Sequence, residues 1–328
     1  MNELISLAQA NALIDAGKYL HIAGDEAVLR RLHRGNWIGG TIPYFLTRAG
    51  GVVERQKVFV TQLPDFVTGV ATRLIDIGHI PAITTEAPRH GFSIVIAPGM
   101  SDIHTIYAMT ASSIPGIHET PIVGWIAGIH LDDLGKTTPK VFNGVTGEVS
   151  DNRIVVMHAS LPSSKIATLG IINLFKQGPG DEIVFQQTGF SAGECTINGR
   201  PDDFYDYAVR KSLDMKLPLI TELSGHFINV SFQAIDAASR IVKFYAPVMK
   251  GRVYRQAAPL ADYRAALVGA TEQLNLSPVF SCNCILNYLY GRLEGEQYIP
   301  VPGPATFGEL AHVLMNQTLV YLTVSDKA

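Results

Sequence analysis

Short apolar runs set off by Gly, Pro and Asn turns recur along this chain, and they constrain its fold more than any other feature. Residues 92–97 read Phe-Ser-Ile-Val-Ile-Ala and stop at Pro98-Gly99, and residues 122–129 and 153–158 have the same character. Runs of about four to eight such residues between turn signals read as strands. The same reasoning predicts strands at 37–45, 52–62, 140–142, 166–174, 183–188, 194–197, 227–234, 252–257, 279–282, 307–314 and 318–324. Helices are expected over 2–34, with a break at Gly17 and a restart at Asp25. Others are expected over 101–111 behind a Ser101 cap, from about Pro201, over 262–274 and over 285–293. Turns such as Asn143-Gly144 and Asp151-Asn152 are short, so neighbouring strands should often be antiparallel. The expected fold class is α+β, with largely antiparallel or mixed sheets flanked by helices.

At 328 residues, the chain has room for more than one packing unit. Leu161-Pro162-Ser163-Ser164 is the best candidate boundary. The expected organisation is a helical segment over 1–34 and two halves over 35–162 and 163–328. An apolar fraction of 47% against 17% charged suits a large buried core and argues against disorder. A formal net charge of −3, with no dense Lys/Arg run, argues against nucleic acid as a partner. No window holds about 18 uninterrupted apolar residues, so no membrane partner is expected. The first residues lack a basic segment followed by a long apolar stretch. The cysteines are Cys195, Cys282 and Cys284, an odd, low count that fits a reducing cytoplasm.

The final fifty residues break the apolar pattern. Cys282, Asn283 and Cys284, then Glu309, then Asn316, Gln317 and Thr318 sit within strand-like apolar runs. A buried polar group without a partner costs about 1–3 kcal/mol. These groups therefore satisfy one another or are satisfied by a ligand. Alternation puts Glu309 on the side of Phe307, so the two should share burial, and Asn316 should share a face with Thr318. Cys282 and Cys284 should also share a face. They read as packed thiols, as ligand-facing thiols, or, with Cys195 and a histidine, as a metal site. One intervening residue is fewer than zinc pairs usually have, and no metal is expected. His226 and His312 could serve a cysteine nucleophile as base, although neither spacing encodes a dyad.

The same block resembles the FIST family of sensory domains, named for F-box and intracellular signal transduction proteins. The resemblance rests on Phe280-Ser281-Cys282, Phe307-Gly308-Glu309 and Asn316-Gln317-Thr318, in that order. Ile197-Asn198-Gly199-Arg200-Pro201 with Phe204-Tyr205, and Phe244-Tyr245-Ala246-Pro247 with Gly251, resemble further segments of the second half. Ile38-Gly39-Gly40-Thr41 and the Gly124-Trp125 strand resemble the first half's glycine strands. The resemblance covers most of residues 35–325. It departs after the cysteine, where an arginine is usual and Asn283-Cys284-Ile285 stand instead.

The resemblance implies a sensory module for a small, amino-acid-like molecule, with a signalling protein as a further partner and no established reaction. Together, these readings predict a ligand cleft lined by Gly39, Gly40, Thr41, Gly124 and Trp125 from one half. The other half would contribute Cys282, Asn283, Glu309, Asn316 and Thr318. No catalytic residue and no cofactor is expected. A cysteine-dependent enzyme and a structural interaction scaffold are the alternatives.

Overall fold

A computed structural model describes residues 1–223, 225–274, 277–296 and 298–327. Strand accounts for 43% of the chain and helix for 19%, so the α+β fold is dominated by its sheets. Three sheets enclose the main core, and a further six-stranded sheet and a three-stranded one form a satellite.

The first sheet runs in the order Asn2–Ile5, Val58–Gln62, Leu20–Gly24, Trp37–Thr41, Val141–Asn143, Glu148–Ser150. Leu20–Gly24 and Trp37–Thr41 are parallel, with Gly24 beside Thr41, so both end at the same edge. On the outer face, Leu20, Ile22, Trp37 and Val60 pack with Ala10 and Ile14 of the helix Leu7–Asp15. Ser6 caps that helix in a reciprocal box with Gln9. The expected helical segment over 1–34 is thus corrected. Asn2–Ile5 and Leu20–Gly24 are strands, and helix is confined to Leu7–Asp15 and Glu26–Leu29. Leu20–Gly24 is buried on both faces, so it shows none of the alternation that separates a strand from a buried helix.

The second sheet orders Val313–Met315, Glu309–Ala311, Ile122–Ala127, Gly91–Pro98, Ile154–Ser160, Gly69–Ile75. Gly91–Pro98 and Ile122–Ala127 are parallel, joined through the helix Asp102–Thr110, which Ser101 caps. The third sheet orders Lys165–Ile172, Leu319–Asp326, Phe280–Cys284, Gly303–Thr306, Tyr44–Thr47, Gly50–Val53, Gly295–Glu296. Strands from both sides of residue 162 therefore share the second and third sheets.

The satellite spans 183–256. Its core is an aromatic cluster in which Phe185, Phe204, Phe232, Phe244 and Tyr254 meet edge-on, tilted or stacked. Its helix is Phe204–Lys211, capped by Asp203. The segment from Arg200 to Asp203, expected to begin that helix, is a strand.

Two further expectations are corrected near the chain's last strands. The strand expected over 307–314 is two strands, Glu309–Ala311 and Val313–Met315, folded back on each other at His312. Asn316 and Thr318 do not alternate along a strand: Gln317 has φ 51° between them, and the final strand begins at Leu319.

Candidate functional site

The expected site residues form two groups, one sealed and one open. Glu309 stands opposite Trp125 in the second sheet and is fully buried. Its Oε2 accepts hydrogen bonds from the Thr318 backbone N–H at 3.1 Å and from the Thr318 hydroxyl at 2.8 Å. Burial raises its pKa from 4.5 to about 8, against the pull of the two Thr318 donors, so at neutral pH the carboxyl keeps its proton. Among the described residues, Glu309 Oε1 and both side-chain atoms of the fully buried Asn316 have no hydrogen-bond partner.

Cys282 is buried beside this seam and donates its thiol to the Gly124 carbonyl at 3.3 Å. Asn283 Oδ1 accepts from the Cys284 N–H and from Asn287 Nδ2, both at 2.8 Å. Burial, then the Glu309 carboxyl, pushes both Cys282 and Cys284 well above the ordinary thiol value. Activated nucleophiles require the reverse. Cys195 lies in the satellite core, apart from the other two. Among the described residues, no three His, Cys, Asp or Glu side chains are grouped to hold a metal.

Trp125 is internal as well. Its indole N–H donates to His21 Nε2 at 2.7 Å, joining the second sheet to the first. Burial lowers the His21 pKa to about 3, so the ring is the neutral acceptor this bond needs. Gly40 faces the same indole, and a Cβ there would come within 2.8 Å of both Trp125 and Ile96. A Cβ on Gly124 would lie on the Val95 carbonyl of the neighbouring strand. These glycines allow close packing of sheet on sheet and strand on strand.

Thr41 differs, because it borders an open cleft of about 380 Å³. The cleft opens where the parallel pair Leu20–Gly24 and Trp37–Thr41 ends, beside Gly128 after the strand Ile122–Ala127. Sheets with parallel strands commonly receive ligands at such carboxyl ends. The Thr41 carbonyl accepts from the Gly128 N–H at 2.7 Å, and its hydroxyl accepts from the Lys140 N–H at 2.9 Å. Five charged side chains line the cleft, and with Lys140 they form two paired sets. Arg55 reaches Asp25 with Nε at 2.7 Å and Asp133 with Nη2 at 2.8 Å. Glu26 pairs with Arg30 at 2.6 Å and is held from the other side by Lys140 at 2.7 Å. Burial opposes ionisation of Glu26, yet the two cations outweigh it and hold the group below the ordinary carboxylate value. Tyr44 stacks on His130 at 5.5 Å, and its hydroxyl accepts from the Leu131 N–H at 3.0 Å.

Of the ten expected site residues, the structure brings only Thr41 to this cleft. Asp25, Glu26, Arg55 and Asp133 were missed. Reading 20–24 as a strand would have exposed the signal, because Asp25-Glu26 then stands directly at a strand's carboxyl end.

Among the described residues, no helix is long and apolar enough to cross a membrane. No curated protein and no solved structure matches the chain. A family model does match, over residues 5–325, and it is a family of unknown function (DUF6976). This overturns the FIST resemblance: its short motifs fall on a sealed packing seam, and the match along nearly the whole chain is to a different family. The chain belongs to the DUF6976 family.

Proposed function

We propose that this chain binds a small zwitterionic metabolite of the amino-acid class in the cleft beside Thr41. The observation that carries this reading is Arg55, held between Asp25 and Asp133 from two separate elements at a strand-end opening. Exposed ion pairs contribute about 0–1 kcal/mol each, so stability alone accounts poorly for such a network. Side chains already ordered by one another lose little freedom when a ligand replaces one partner. Arg55 and Arg30 would meet the ligand's carboxylate, and Asp133 or Asp25 would meet its ammonium group. The Thr41 hydroxyl supplies a neutral contact at the cleft wall.

Thermal-shift measurements with a panel of amino acids and betaines test this reading. At a ligand concentration about 100 times Kd, one-site binding adds about 2.7 kcal/mol. At least one compound should raise the melting temperature, and Arg55→Met should abolish that rise. A panel that produces no shift overturns the proposal. The signalling role expected from the FIST resemblance loses its basis with that resemblance. We further propose a cytoplasmic setting, supported by three cysteines that are all free. Fractionation of cells expressing the tagged chain checks it.

A further inference from the structure

The edges of three sheets converge on the opposite side of Glu309–Ala311. Lys165–Ile172 is the edge strand of the third sheet, Val313–Met315 of the second, and His226–Val230 of the satellite's larger sheet. Two clefts open between them, of about 430 Å³ and 520 Å³, and they share Ile171 and His226. The floor of the first is aliphatic, with Leu169, Ile171, Ile228 and Val313. The second continues past Phe227, whose ring is about half exposed, to Phe175 and Lys176.

Every ionisable side chain lining the pair of clefts is basic: His118, His226 and His312 in the first, His226 and Lys176 in the second. That selection is unusual in a chain with net charge −3. Two of the three imidazoles are in contact. His118 meets His312 edge-on at 5.4 Å. His312 is the single residue between two strands, at φ 63°, in the left-handed region that non-glycine residues seldom adopt. Its backbone carbonyl accepts from the Tyr107 hydroxyl at 2.8 Å, and its Nε2 donates to the Thr120 carbonyl at 3.1 Å. That bond fixes the tautomer, and burial, with His118 and His226 nearby, lowers the ring's pKa, so His312 stands as a neutral wall of the cleft. A residue pinned at both backbone and ring makes that wall rigid.

We infer that this double cleft binds an organic carboxylate with an apolar chain, its headgroup at Lys176 and His226 in the second cleft and its chain over Ile171 on the aliphatic floor of the first. Cleft size agrees, since small-molecule sites span roughly 300–1,000 Å³. The apolar floor selects for the chain. Lys176 selects for the anion and against amines, by the cost of like charge, and among the described residues no acidic side chain lines either cleft. This site is separate from the Arg55 cleft and does not depend on it.

Octanoate is the probe, with octanamide as its uncharged counterpart and acetate as the headgroup alone. Calorimetry on the full chain should show saturable octanoate binding, at least about tenfold tighter than either control, as charge-assisted hydrogen bonds require. The imidazole resonances of His226 and His312 should move on titration. His226→Glu changes an exposed side chain and should weaken binding about tenfold or more, while Arg55→Met should leave it unchanged. Equal binding of octanamide would reduce the site to an apolar patch. Equal binding of acetate would mean an adventitious ion only. Unmoved histidine resonances would put the ligand elsewhere. Each of these three results overturns the inference.

Discussion

Glu309 and Asp133 are both carboxyl groups placed by the ends of short elements, yet their surroundings give them opposite roles. Glu309 is fully buried, bonded through both donors of Thr318, and kept protonated at neutral pH. Asp133 borders an open cleft and pairs with a half-exposed arginine. The first is part of the wall between two sheets, whereas the second faces an open cleft. A polar residue in an apolar run therefore signals burial first. It signals function only when a space opens beside it.

The comparison predicts a graded series of effects. The largest belongs to Gly124, in the sealed region. Gly124→Ala sets a Cβ on the Val95 carbonyl, so it should cost about 3 kcal/mol or more in urea unfolding. A cost below about 1 kcal/mol would mean that the two strands can part, as a ligand site there would require.

Next comes the Glu309 carboxyl itself. Its folded value of about 8 lies above the ordinary 4.5. Below the unfolded value, both states hold the proton and the group is neutral to stability. Between the two values, the folded chain keeps a proton that the unfolded chain has lost, so stability falls as pH rises. Above the folded value, the loss is complete. The slope is about 1.4 kcal/mol per pH unit, or a few kcal/mol across the window. Urea midpoints measured from pH 5 to pH 8 should show this decline in the native chain, and it should be absent in Glu309→Gln. Parallel curves for the two proteins would place the carboxylate in solvent.

Thr318→Val removes one of the two donors to Glu309 while preserving shape, and should cost about 1–2 kcal/mol. The smallest effect belongs to the open region. Arg55→Met breaks two ion pairs at a half-exposed position and should change stability by less than about 1 kcal/mol in thermal unfolding. A cost as large as that of Thr318→Val would make the charged cleft a structural clamp and erase the distinction between the two regions.

Much of the architecture was legible before the structure. The turns at Pro98-Gly99 and Asn143-Gly144 and the cap at Ser101 all mark element boundaries that the chain obeys. Glu309's burial followed from its apolar neighbours. Its pairing with Thr318 did not, because Gln317 turns left-handed and breaks the alternation. The N-terminal strands were illegible for a different reason: Leu20–Gly24 is buried throughout and carries no period-two pattern. The open cleft was hardest to see. Its lining comes from residues 25–30, 41–43, 55 and 128–137, four stretches brought together by the parallel pairing of Leu20–Gly24 with Trp37–Thr41, the antiparallel Val58–Gln62 and the Gly128–Thr41 backbone hydrogen bond.

The sharing of sheets across residue 162 has a kinetic consequence. The strand Leu319–Asp326 lies between Lys165–Ile172 and Phe280–Cys284, and Glu309–Ala311 completes a sheet begun at Gly69–Ile75. Neither sheet can close until partners more than a hundred residues away in sequence arrive. Pairings of such long range delay the rate-limiting step and leave strand edges bare in the meantime. A growing chain would thus carry unfinished edges such as Ile122–Ala127 for most of its synthesis, and its yield would depend on how well those edges are shielded until then.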